Sequence, residues 1–329
     1  MKITTILLLI ISNASLILFS SSSSAEPTII RFAHNSSAAS PVGQVASIFQ
    51  NIVQQEIGSA KAIVKVVADY QGLNSDALAS SVLEGQIEIT AVSFDMMKQH
   101  SPRLQLFNLP FVFSDINAAK SFTNSTYGER LMLSLNDKGF YHFGQVNTGM
   151  KHIFSKEKIE QPEQMKELII TSGASKIEQR WIDRLGAYST LPRKPQKAFL
   201  NNPEIDGHSA TYIDLLDTDI SALQGYILET EHIYSGHLII SSNTFWQTLP
   251  TELKTSLNDA MKQAIQRSNS AAEQMAQTSK EKLLASKQFE ITELSIGGRK
   301  KWVQASSSVW MLWSDSIGDQ LIQIATSQR

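Results

Sequence analysis

Cysteine is absent from this chain of 329 residues. That excludes disulfides, thiolate zinc sites, iron–sulfur clusters and cysteine nucleophiles. An excess of one charge is lacking too: 29 Lys and Arg stand against 31 Asp and Glu, a formal net charge of −2. Neutralising phosphates needs a basic face, so the balance argues against broad nucleic-acid binding. The common catalytic signatures are also missing, with no GxSxG elbow, Walker loop, GxGxxG turn or HExxH helix. Seven histidines are scattered at 34, 100, 142, 152, 208, 232 and 237. Only His232 and His237 are close, and a spacing of five does not put two imidazoles on one helical face. The acidic pairs Asp214/Asp217 and Glu229/Glu231 read as solvated charges rather than glycosidase carboxylates. The chain is not read as an enzyme, and neither a cofactor nor a metal is expected.

Long apolar runs are confined to the start. Lys2 is the only charge before Glu26, residues 3–19 are largely apolar, and Ser23-Ser24-Ala25 supplies the small residues that a signal peptidase accepts. Residues 1–25 are therefore expected to be a signal peptide cleaved after Ala25, giving a secreted or periplasmic product, with an uncleaved anchor as the alternative. The hydrophobic fraction of 42% and charged fraction of 18% belong to a folded protein. The length exceeds one ordinary core, so two lobes are expected.

Patterning after residue 26 alternates strand and helix. Strands are predicted over 28–33, 62–67 and 87–92, with helices over 42–57 and 75–83, the latter stopping at Gly85. Alternation of this kind predicts parallel strands with helical crossovers, whose ligands sit at the carboxyl ends of the strands. The loops after Ala33, Val67 and Val92 are the ones to watch. A second set follows, with strands at 141–147, 151–156, 167–171, 204–207 and 238–241. Helices are expected at 176–185, 196–200 and from Pro250 onwards. The stripe Leu253, Leu257, Met261, Ala264, Ala272 and Leu283 keeps a helical period across about 35 residues, on the order of 50 Å. A helix that long is expected to brace both lobes. One last helix is predicted over 299–325.

The segment RLQLFNLPFVF at 103–113 resembles a signature of the extracytoplasmic solute receptors of tripartite ATP-independent periplasmic (TRAP) transporters. RFAHN at 31–35, LEGQIEI at 83–89, the passage 138–168, LGA at 185–187, EIDG at 204–207, FWQTLPTEL at 245–253 and the Trp302 helix follow in the family's order. The resemblance covers nearly all of residues 28–325. It implies an α/β fold of the two-lobed periplasmic binding protein (Venus-flytrap) type, with a long helix bridging both lobes. Lobe I would comprise 26–148 plus about 236–275, and lobe II 149–235 plus about 276–297. Residues 298–329 would form a C-terminal helix packing back on the lobes.

Carried over residue by residue, the family's binding positions fall on Asn35, Lys151, Thr171, His208 and Ser209. Asn35 keeps the polar side chain after the first strand. Lys151 keeps the charge of the "G-F-R" arginine without its planar fork, whereas Thr171 replaces the arginine that clamps carboxylates. His208, Ser209 and Ala210 stand where "Q-E-N" is usual. The implied function is capture of a small organic, anionic solute for delivery to the integral membrane subunits of a TRAP transporter, by a monomer. The alternative is a periplasmic sensing or interaction protein that kept the fold while its pocket diverged.

Overall fold

The computed structural model describes residues 26–68, 77–191, 202–215 and 224–327. The expected signal peptide, the loop after the second strand, the helix at 196–200 and Asp217 lie outside the described residues. In chain order the elements begin with β1 (Thr28–His34), α1 (Pro41–Ile52), β2 (Ala62–Ala68), α2 (Ala77–Leu83), β3 (Ile89–Ser93), α3 (Ile116–Thr123) and α4 (Thr126–Leu133). The middle of the chain forms β4 (Phe140–Met150), β5 (His152–Ser155), β6 (Ile169–Thr171), α5 (Lys176–Arg184), β7 (Tyr188–Thr190) and β8 (Gly207–Ala210). Then come β9 (Gly225–Glu229), β10 (Tyr234–Ser242), α6 (Asn243–Thr248), α7 (Thr251–Ser286), β11 (Phe289–Glu293), α8 (Ile296–Ile317) and α9 (Asp319–Thr326).

Two sheets result, one ordered β2-β1-β3-β10-β4 and the other β11-β9-β5-β8-β6-β7. The first three strands pair in parallel, as the alternation implies. β10 runs antiparallel to both β3 and β4, so β4 ends at the same edge as β1 and β3. In the second sheet β6 and β8 are parallel and β5 is antiparallel to β8, which puts the start of β5 at the carboxyl edge of β6 and β8. Only Lys151 separates β4 from β5. The chain therefore passes straight from the carboxyl edge of one sheet to the carboxyl edge of the other. That topology makes the junction a cleft between two lobes.

A second crossing lies beside the first. Between β9 and β10 the chain returns through residues 230–233, where His232 N–H donates to Lys151 O at 3.0 Å and Lys151 N–H donates to Ile233 O at 2.9 Å. The third brace is α7. Its first half buries Leu257, Met261 and Ala264 against Phe32, Phe49 and Ile239 of the first lobe. Further along, Asn269 accepts from Asn147 N–H at 2.8 Å and donates to Gln145 O at 3.1 Å, tying the helix to β4. Its last turns put Leu283 against Phe154, Tyr212 and Ile227 of the second lobe, and Lys280 pairs with Glu229 at 2.7 Å. The 36 residues span roughly 54 Å, so the expected bracing helix is observed.

Three sequence expectations shift. The strand expected at 204–207 is instead Gly207–Ala210, with residues 204–206 in the connection that leads into it. The predicted helix at 42–57 is α-helical only to Ile52 and closes with a π turn at Val53–Ile57, stopped by Gly58 at φ 87°. The predicted helix at 299–325 is two helices broken at Gly318, whose φ of 100° an α-helix cannot accommodate. The hydrophobic period continues through that glycine, which is why the pattern alone reads as one helix.

The RLQLFNLPFVF segment is not a binding loop but an apolar seat between the lobes. Leu104, Leu106, Phe107, Leu109, Phe111, Val112 and Phe113 are all buried in one core with Ile153, Ile170, Trp181 and Trp302. Phe111 lies within 6.3 Å, ring centre to ring centre, of Trp181, Trp302 and His232. Its φ of 56° is rare for a bulky side chain. The conformation is held by a 2.6 Å bond from Phe111 N–H to His232 O. From α8, Trp310 reaches Pro110 O at 2.8 Å, and Arg299 caps the carbonyls of Thr230 and Ser114. Phe111→Ala is expected to cost about 3–5 kcal/mol by opening this core. Urea unfolding of both chains measures it, and a loss below about 1 kcal/mol would show that the seat does not hold the lobes.

Candidate functional site

Both carboxyl edges meet at Lys151, and the sequence-derived candidates divide between that junction and the far face of the second sheet. Asn35 follows β1 on the first lobe and is exposed. Lys151, Thr171, His208 and Ser209 belong to the second lobe. Side chains alternate along a strand, so His208 and Ser209 point to opposite faces of the second sheet. The registers Phe154↔His208 and Ile153↔Ser209 fix which face each takes. The four second-lobe candidates therefore form two clusters rather than one.

On the face toward α7, Thr171 Oγ1 lies 2.7 Å from His208 Nδ1. Thr171 is only 2% exposed, so its hydroxyl is committed within the protein. Burial, and then Lys156, lower the His208 pKa to about 4, leaving a neutral ring. The same ring borders a depression lined by Phe154, Lys156, Asp206 and Phe289. These residues stand at the amino end of β8, away from the lobe junction, so the depression is not the interlobe cleft.

On the opposite face, Lys151 meets a carboxylate that the carried-over positions do not include. Glu178, on α5, accepts from Lys151 Nζ through both oxygens at 2.8 and 2.7 Å. It also accepts from Gly173 N–H at 3.2 Å and from the Ser209 hydroxyl. The Glu178 side chain is 1% exposed and that of Lys151 14%. α5 places it there for local reasons: Ser175 caps the helix and Glu178 occupies the third position, where the helix dipole favours an acid. Glu178 also shares the buried face of α5 with Ile177, Trp181 and Ile182. An acid on an apolar helical stripe is the sequence signal that marks it.

The network continues inward with its protons defined. Ser209 donates to Glu178, so Ser209 Oγ accepts from His232 Nε2–H at 2.8 Å. His232 Nδ1 then accepts from the Thr230 hydroxyl at 2.7 Å. The ring stacks on Trp181 at 4.5 Å. Burial, followed by Lys151 and His152, holds its pKa well below 6.5. The tautomer with a proton on Nε2 and none on Nδ1 is thus fixed by its neighbours. The chain Thr230–His232–Ser209–Glu178–Lys151 links the second crossing to the first. No group of acidic or histidine side chains arranged to hold a metal occurs among the described residues.

Two α/β lobes with facing strand ends, two crossing segments and a long brace define a two-lobed binding protein. Comparison with known sequences gives the family: residues 32–315 match the model for bacterial extracellular solute-binding proteins, family 7. The chain belongs to that family, the solute receptors of TRAP transport systems. A C4-dicarboxylate-binding periplasmic protein, DctP, of Shewanella loihica is 28% identical over 92% of this chain and 90% of its own. A C4-dicarboxylate-binding protein of Bacillus subtilis, DctB, is 24% identical over 90% of this chain and 85% of its own. Among solved structures, a TRAP periplasmic solute-binding protein from Shewanella oneidensis with bound succinate superposes with a TM-score of 0.84. It is 26% identical and covers 92% of this chain and 99% of its own. No described helix is long and apolar enough to cross a membrane.

Two outcomes follow from the buried network. Lys151→Met leaves Glu178 charged and unpaired, and should destabilise the protein by about 3–5 kcal/mol, with Lys151→Met/Glu178→Leu regaining most of that loss. Denaturant unfolding of both variants measures the difference, and equal loss in the single and double variants would disprove the pairing. The second concerns pH. His232 and His152 are buried as neutral rings, His152 with its pKa at about 4 through burial. Above the ordinary value of 6.5 both folded and unfolded chains carry neutral imidazole, and the contribution is fully present. As pH falls below 6.5 the unfolded chain takes up protons that the folded chain refuses. Stability should then fall by about 1.4 kcal/mol per pH unit for each such ring, for His152 until pH nears 4. Unfolding midpoints between pH 7 and 4.5 test this, and a flat profile would exclude neutral burial.

Proposed function

We propose that this chain is the periplasmic receptor of a TRAP transporter, closing its lobes over a small organic solute and presenting it to the integral membrane subunits. The observation that carries the proposal is the meeting of two carboxyl strand edges at Lys151, within a fold shared over nearly its whole length with solute receptors. Solved relatives hold small organic acids: succinate in the Shewanella oneidensis protein, L-malate in one from Pseudomonas aeruginosa, d-glucuronate in one from Chromohalobacter salexigens. An organic acid is accordingly the solute class proposed here. Asn35 and Lys151 are the candidates placed to meet it, one from each lobe. Thr171 and Ser209 act from behind, holding His208 and Glu178 in place. Export through residues 1–25, with cleavage after Ala25, belongs to the same proposal, as does action as a monomer without cofactor.

The crossings at residues 151 and 230–233 are the natural hinge, since few residues there need change φ and ψ to swing one lobe. Mass spectrometry of the solute that co-purifies, followed by calorimetry with succinate, L-malate and d-glucuronate, tests the reading. A bound organic acid and a smaller radius of gyration in its presence are the expected results. If no acid binds and no solute co-purifies, the sensing or interaction reading replaces it. That reading draws on the same fact, that Lys151 is already neutralised by Glu178.

A further inference from the structure

Three donors of different kinds converge on one carboxylate at the lobe junction: the Lys151 ammonium, the Ser209 hydroxyl and the Gly173 amide. A cation, a hydroxyl and a backbone N–H aimed at a single point are what an anion-binding subsite requires. Here the carboxylate comes from the chain itself. We propose that Glu178 is a built-in carboxylate that fills the anion subsite of lobe II, so that the solute presents an uncharged hydrogen-bonding group to this lobe.

The charge balance at the junction supports the proposal. Lys151 and Glu178 cancel, and the other second-lobe candidates, Thr171 and His208, form a neutral pair. A solute carboxylate pressed onto this face would meet a carboxylate already bound, beside a Lys151 ammonium that Glu178 already neutralises. A hydroxyl, amide or carbonyl costs far less to bury, and it can approach Lys151, whose side chain keeps 14% of its exposure, without displacing Glu178. Discrimination therefore comes from repulsion as well as attraction. The inference deepens the receptor reading and rests on it: among organic acids, it selects those with one acid group and a neutral polar remainder over dicarboxylates.

A helix-capping role for Glu178 would place the acid at the same position, so the test must separate capping from occupancy. Glu178→Ala removes the internal carboxylate and opens its place beside Lys151. Glu178→Gln keeps the shape and, through its single carbonyl oxygen, one of the two bonds from Ser209 and Gly173, while freeing the charge of Lys151. Thermal unfolding of wild type and both variants is followed in acetate, in succinate and in chloride at equal ionic strength, and succinate binding is measured by calorimetry. We expect acetate and succinate to raise the unfolding temperature of Glu178→Ala above its value in chloride, with no such rise in the wild type. Succinate should bind Glu178→Ala at least about ten-fold more tightly than the wild type, the scale of one charge-assisted hydrogen bond. Glu178→Gln should show a smaller gain in the same direction, and serves as the measure if Glu178→Ala does not fold. Absence of rescue by either anion, or a wild type that binds succinate as tightly as the variants do, would overturn the inference. Failure of the receptor reading looks different: no acid binds the wild type and no solute co-purifies, whatever the two variants do in acetate.

Discussion

The pair of backbone hydrogen bonds between Lys151 and residues 232–233 is the contact on which the rest of the molecule depends. Here two segments cross between the lobes side by side, and every polar group they bury must find a partner inside the protein, because little water reaches them. His232 O is taken by Phe111 N–H, which brings the apolar seat of the first lobe onto the crossing. The His232 ring is taken by Thr230 and Ser209 and lies on Trp181. The seat, the helix α5 and the C-terminal helix α8 are thus gathered around one short stretch of chain. The left-handed backbone at Phe111 is held in place by that gathering.

The charge at this crossing is set by a few side chains. Arginine at position 171 would need a carboxylate partner, and threonine there needs only the His208 ring, which is 2.7 Å away. Lys151 retains its charge, and Glu178 supplies the counter-charge from a helix that starts at the cleft edge. None of these side chains takes part in the long brace, whose contacts with both lobes are made by other residues. The long brace and the site's charge are therefore carried by different residues, as expected when function is grafted onto a scaffold by a few side chains.

Much of the molecule was legible from residues 28–325. The period-2 runs and the long 3.6-residue stripe from Leu253 to Leu283 mark most strands and the brace, because burying one face leaves a pattern in sequence. Resemblance carried the two-lobed arrangement, and with it the positions of Asn35, Lys151, Thr171, His208 and Ser209. It suggested that RLQLFNLPFVF was distinctive without saying why. The structure makes it the packing surface between the lobes.

What the sequence by itself determined is the local structure and the class of fold, since both follow from nearest-neighbour geometry and from which faces must be dry. Only the tertiary structure decided how the candidate site is wired. That Lys151 is neutralised by a residue 27 positions away, that Ser209 passes a hydrogen bond between Glu178 and His232, and that Thr171 and His208 point to the other face are facts about strand register and lobe packing. A one-residue change of register would reverse each of those directions without altering a letter of the pattern. Electrostatic partnership depends on distances of about 3 Å between groups far apart in the chain, and such distances exist only once the sheets have formed.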